Sequence, residues 1–240
     1  MKLKKTKHTN LDPQSSNKSF FQFDKTFNNF LCDDYNKITV QALQNKCRNV
    51  TDEPAYLLIQ GPSGTGKSHL LSAMANRVIE KDKNLKVIYI SSEMFAMEYI
   101  KSRRYHLEKM FLRGFTVECD VLILDCATQI ETSTLIFAEL IEIIKFLVSK
   151  KKSIIMATDS NYINHRANVA QLFDAIPMLD SVDVEHPGSQ ILPVLAQNLA
   201  KKKGLKLSQD SILFLLDISH YSLTDLVGHL DRLKKKYSSN

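Results

Sequence analysis

The stretch Gly61-Pro-Ser-Gly-Thr-Gly-Lys-Ser68 fills every fixed position of the pattern G-x-x-x-x-G-K-[ST]. That pattern binds the phosphates of a nucleotide when it follows a strand and opens a helix. Gly61, Gly64 and Gly66 let the backbone bend so that the loop's N–H groups face the phosphates, and the helix N-terminus adds partial positive charge. Lys67 is placed to reach the β and γ phosphates, and the Ser68 hydroxyl to ligate Mg²⁺. A second carboxylate fits the same chemistry: Val121-Leu-Ile-Leu-Asp125 is an apolar run ending in an acid, and Asp125 is placed to hold Mg²⁺ through water. The next residue is Cys126, an uncharged thiol at neutral pH unless its pKa is perturbed, and a poor base for water.

These residues need a scaffold, and the chain supplies an alternating one. Short apolar runs are expected as strands at Tyr56–Gln60, Lys86–Ser91, Val121–Asp125 and Ser153–Ala157. Helical spacing falls between them, at about 34–47, 67–80, 93–102, 106–114 and 132–149. Strands without in–out alternation, separated by helices, imply a parallel sheet covered on both faces. After His186-Pro187-Gly188 the pattern is wholly helical, at about 189–202, 208–218 and 222–236, with Gly204 as a stop and Ser208 as a cap. The expected organisation is a polar N-terminal arm (1–25), an α/β nucleotide-binding core (26–187) and a small three-helix lid (188–240).

The bulk composition narrows the class. The chain has 240 residues, 44% of them hydrophobic and 24% charged, ordinary values for a globular protein that buries its own core. The basic start leads into polar sequence, and the most apolar segment, Leu135–Val148, is interrupted by Glu139, Glu142 and Lys145; neither a secretory leader nor a membrane span is expected. Cys32, Cys47, Cys119 and Cys126 have no metal-ligand spacing, and reduced thiols in a cytoplasmic protein are expected. The net charge of +6 permits a nucleic-acid contact, but the lysines fall in scattered short clusters that do not favour one. Arg103, Arg104 and Tyr105 are placed to touch single-stranded DNA by charge and stacking, or to end a helix in solvent. Met94, Phe95, Met97 and Tyr99 are expected to pack a helix on the sheet.

Phe27-Asn-Asn-Phe30, then Gly61–Ser68 continuing as His69-Leu-Leu71, then Val87–Ser91 with Glu93 and Phe95, then Asp120–Asp125, together resemble the AAA+ domain of the bacterial replication initiator DnaA. The resemblance covers about 26–235. It implies an AAA+ core with a helical lid, binding of ATP or ADP with Mg²⁺, and an adenine-contacting segment at Leu31–Asn36. His69 joins the nucleotide-contacting set. Thr158-Asp159 falls at the sensor position of the fourth strand, where Asp159 would face the γ-phosphate or its attacking water. Three charged catalytic positions depart from the family: Cys126 replaces the second acid, the arginine finger falls on Ala175 with Arg166 too early to substitute, and Thr224 replaces the sensor arginine of the last helix.

In length the chain resembles the short Hda-like members, which lack a C-terminal DNA-binding domain. The resemblance implies a regulator or adaptor of replication initiation with weak or absent hydrolysis, partnered by the initiator DnaA and forming a nucleotide-dependent oligomer. The sliding clamp is a second candidate partner, through Gln22-Phe-Asp-Lys-Thr-Phe27, where Lys25 stands at an expected apolar position. If that segment is no clamp peptide, Phe23 and Phe27 are expected to dock on the core. Two alternatives stay open: an active ATPase acting as a helicase loader, and a replication accessory that contacts DNA.

Overall fold

The computed structural model describes residues 21–30, 32, 34–50, 53–126, 134–159, 166–188 and 190–238. Its elements run α1 (Asp34–Asn49), β1 (Tyr56–Gly61), α2 (Lys67–Lys81), β2 (Val87–Ser91), α3 (Ser92–Arg104), α4 (Glu108–Thr116), β3 (Val121–Asp125), α5 (Thr134–Ser149), β4 (Ser153–Asp159), α6 (Arg166–Ala175), β5 (Asp180–Asp183), α7 (Leu192–Lys202), α8 (Gln209–Ile218) and α9 (Leu223–Ser238). A 3₁₀ turn at Phe27–Asn29 precedes α1.

The strands form one parallel sheet in the order β2-β3-β4-β1-β5. Successive residues of each central strand feed opposite cores, which is why the apolar runs are continuous. Leu58, Leu122, Leu124, Ile154 and Met156 pack on one face with α3, α4, α5 and α6. Leu57, Ile59, Val121, Ile123 and Ile155 pack on the other with α1 and α2. A third apolar cluster joins α7, α8 and α9, centred on Ala196, Leu216, Leu226 and Leu230. Ser208 caps α8 by accepting from the Ser211 N–H at 3.2 Å, and Gly204 ends the turn after α7 with φ +79°.

The sheet order places β1, β4 and β3 side by side, so that their C-terminal ends are adjacent. Gly61 at the end of β1 pairs in register with Asp159 at the end of β4. Asp125 ends β3 next door.

Several expectations change. Among the described residues the sheet has five strands, where four were expected: β5 reads Asp-Ser-Val-Asp, is mostly exposed, and carries no apolar run to announce it. Helix α6 stands between β4 and β5, where the spacing announced no helix. Residues 21–25, expected as the end of a polar arm, are packed on α2 because Phe21 is buried against the core; residues 1–20 lie outside the described residues. Phe27 packs on that core as expected, whereas Phe23 is 74% exposed. Phe95 is buried and Met94 and Tyr99 pack beside it, but Met97 faces solvent.

Candidate nucleotide site

The loop between β1 and α2 has the shape its residues require. Gly64 and Gly66 take left-handed conformations, φ +82° and +94°, which side-chain-bearing residues rarely adopt. Gly61 leaves no space either: a Cβ there would lie 2.2 Å from the Val184 carbonyl oxygen. Thr65 is buried and its hydroxyl donates to the Pro62 carbonyl at 3.0 Å, closing the loop on itself. Pro62 and Gly64 are half-buried, and Ser63 and Ser68 are exposed.

Lys67, 8% exposed, donates to the carbonyls of Gly61 at 2.6 Å and Pro62 at 2.7 Å, so its ammonium sits inside the curl. Burial lowers its pKa, opposed by the negative charges of Asp159 and Asp125 nearby. A phosphate there would add the counter-charge that burial leaves incomplete.

Asp125 is almost fully buried. Its Oδ2 accepts from the Tyr89 hydroxyl at 3.0 Å, and its Oδ1 lies 3.7 Å from the Cys126 thiol, which donates to it. Burial and the adjacent carboxylate push the Cys126 thiol up to about 12, so it stays protonated at neutral pH and cannot take a proton from water. Cys126 also adopts φ +57°, with its carbonyl held by the Ser92 hydroxyl. Thr158 is buried at the end of β4, and its hydroxyl donates weakly to the Asp159 carbonyl at 3.5 Å.

The F-x-x-F segment is part of the loop's packing. The Phe30 ring lies over Gly66, where a Cβ would stand 2.8 Å from its Cε2, and meets His69 edge-on with centroids 5.3 Å apart. His69 Nε2 contacts the Thr26 carbonyl at 3.0 Å, and burial holds its pKa below the usual histidine value. Two turns further along the same face of α2, the Asn76 amide donates to the carbonyls of Lys25 at 2.6 Å, Gln22 at 3.2 Å and Phe23 at 3.5 Å. Residues 22–26 therefore run as a strap along α2, and the Gln22–Phe27 segment is folded rather than extended.

Asn36 is buried on α1. Its Nδ2 donates to the Glu185 carbonyl at 3.3 Å, and its Oδ1 accepts from the Glu185 N–H at 3.0 Å, so it locks α1 to the chain leaving β5. Leu31 lies outside the described residues. Ala175 is buried at the end of α6, and Thr224 falls on the first turn of α9.

Sequence reasoning missed Tyr89, Lys25 and Lys202. Lys25 is half-buried and within electrostatic reach of Asp125, and Lys202 at the end of α7 is within reach of Lys25 and His69. Tyr89 lies inside Val87–Ser91 and Lys25 inside Gln22–Phe27, but neither segment's pattern singles it out for this site.

The oxygens of Ser68 and Asp125 are hard donors that suit Mg²⁺, and the glycine-shaped loop with an inward lysine suits a triphosphate. When bound, the metal would neutralise phosphate charge, and the chain's part would be to hold the phosphates at the loop amides and Lys67.

A family model of the bacterial DnaA ATPase domain matches residues 21–167. The chain belongs to the bacterial DnaA ATPase-domain family. It is 29% identical over 232 residues to the chromosomal replication initiator protein DnaA of Magnetococcus marinus, covering 94% of this chain and 48% of that protein. Domain III of the Thermotoga maritima DnaA shares the fold at TM-score 0.78, with 22% identity and 92% of each chain covered. A DnaA initiator solved with AMPPCP and single-stranded DNA shares it at TM-score 0.72, with 22% identity, covering 90% of this chain and 66% of that one. This DnaA-family chain spans about half the length of the curated initiators it matches. Its α/β core with a helical lid is the AAA+ architecture that the loop and F-x-x-F segment implied. Among the described residues, no helix is long and apolar enough to cross a membrane.

Proposed function

We propose that this DnaA-family chain is a nucleotide-binding regulator or adaptor of replication initiation that holds ATP or ADP with Mg²⁺ and hydrolyses ATP slowly or not at all. The supporting observation is the pair Asp125–Cys126: the carboxylate is retained, but its neighbour is a thiol pushed to about 12, unable to act as a base. In this reading Gly61–His69 hold the phosphates, Ser68 and Asp125 serve Mg²⁺, and Asp159 faces the γ-phosphate. Leu31–Asn36 forms the base-facing segment, with Asn36 fixing its path through Glu185. Ala175 offers no arginine to a neighbour's nucleotide. An arginine finger alone is worth about 10³–10⁵ in rate.

The partner in this reading is the initiator DnaA itself, met in the cytoplasm through a nucleotide-dependent oligomer. The sliding clamp is the second candidate, and would require residues 22–27 to leave α2. The test is ATP turnover by the purified protein alone, then mixed with a full-length DnaA initiator. Negligible turnover alone together with a changed rate for the initiator supports the reading. Robust turnover that depends on Lys67 sinks it in favour of a motor or loader.

A second reading draws on the corner between α3 and α4. Arg103, Arg104 and Tyr105 are exposed there beside exposed Met97 and Ile100, and a DnaA relative binds single-stranded DNA. Charge and aromatic surface together suit a single strand. Binding of an oligonucleotide that weakens steeply with salt and is lost in Arg104→Ala would favour this reading.

A further inference from the structure

Tyr89 lies on β2, 6% exposed, two residues before the position paired with Asp125. Its hydroxyl donates to Asp125 Oδ2 at 3.0 Å. A phenol has one proton, so that proton is committed to the carboxylate. The Tyr89 ring belongs to the same apolar core as Leu70, Leu71 and Met74 of α2, the helix that carries Ser68. The hydroxyl therefore ties the strand end that carries Asp125 to a side chain packed in the core under that helix. Phe21 from the strap packs beside the Tyr89 ring, with centroids 6.2 Å apart.

We propose that Tyr89 is a positioning residue that fixes Asp125 relative to Ser68 and so couples Mg²⁺ to nucleotide binding. The inference rests on the reading of this site as a Mg²⁺–nucleotide site. A hydrogen bond that only satisfies buried polar groups would affect fold stability, or nucleotide affinity with and without metal alike. A positioning hydrogen bond acts on the metal-dependent part of the affinity alone.

The experiment measures ADP affinity in excess Mg²⁺ and in EDTA for wild type, Tyr89→Phe and Tyr89→Met, with thermal melting to confirm that each is folded. The ratio of the two affinities is the readout. Tyr89→Phe should cut the Mg²⁺ enhancement by about tenfold, the scale of one hydrogen bond to a charged group, and leave the EDTA affinity unchanged. Tyr89→Met, which also removes the hydroxyl, should cut it to a similar extent, and it carries the test if Tyr89→Phe does not fold. An unchanged ratio in the folded variants, or equal losses with and without Mg²⁺, would overturn the proposal. A wild type that binds ADP through Lys67 with no Mg²⁺ enhancement would overturn the proposal but leave the nucleotide reading standing. A wild type that binds no ADP would overturn both.

Discussion

Phe30 and Gly66 are built against each other: the ring occupies the space where any side chain at 66 would begin, 2.8 Å from Cε2. This contact explains why an F-x-x-F entry accompanies the phosphate loop. It also predicts the outcome of adding one methyl group. Gly66→Ala must adopt φ near +94° and displace Phe30. The left-handed conformation alone costs roughly 1–2 kcal/mol. The melting temperature should fall and nucleotide affinity should drop, because the loop amides move with the ring. Phe30→Ala/Gly66→Ala should recover part of the stability lost by Gly66→Ala, which calorimetry would measure.

Asn76 makes the second prediction. One amide serves three carbonyls of the strap, and no other side chain is recorded donating to them among the described residues. Asn76→Ala should destabilise the fold by roughly 1–3 kcal/mol. The loss should concentrate at residues 21–26, seen as faster amide exchange and earlier proteolysis there than in α2 itself. Uniform change across the sheet would argue against a local strap.

Asp120 gives a pH dependence. Burial by itself would raise its pKa, but the Lys152 ammonium at 2.5 Å and the Lys86 N–H at 2.9 Å outweigh burial and hold it below the ordinary 3.8. A depressed carboxylate contributes stability above its unfolded pKa and loses it as pH falls through the folded one. Asp120→Asn should therefore be less stable than wild type at pH 7, by roughly 1 kcal/mol for this partly exposed pair. The gap should close as the pH is taken below 3.8 and onward through the lowered value. Urea titrations at pH 7 and in acid would compare the two proteins.

Much of this was legible in the sequence because it is written in local patterns. The loop at Gly61–Ser68, the acid ending Val121–Asp125 and the alternating apolar runs each fix an element by their own spacing. What was not legible depends on distant segments meeting. Strand β5 is four mostly polar residues that become a strand only because β1 offers an edge. Phe21 looked like the end of a polar arm until Tyr89 and α2 supplied a surface for it. Tyr89 itself read as an ordinary strand residue, and its role appears only when β2 and β3 lie side by side. Asn36 reads differently for the same reason: its partner Glu185 lies far along the chain.

The central claim is that the loop around Lys67 holds a nucleotide. The most direct measurement is ADP and ATP binding by the purified protein in Mg²⁺, comparing wild type with Lys67→Ala. Lys67 contributes charge-assisted hydrogen bonds worth roughly 1.5–3 kcal/mol each, so its removal should weaken binding by about tenfold or more. The account predicts binding by the wild type and its loss in a Lys67→Ala protein that still melts cooperatively. Equal affinity in the two proteins, or no binding by the wild type, would contradict it.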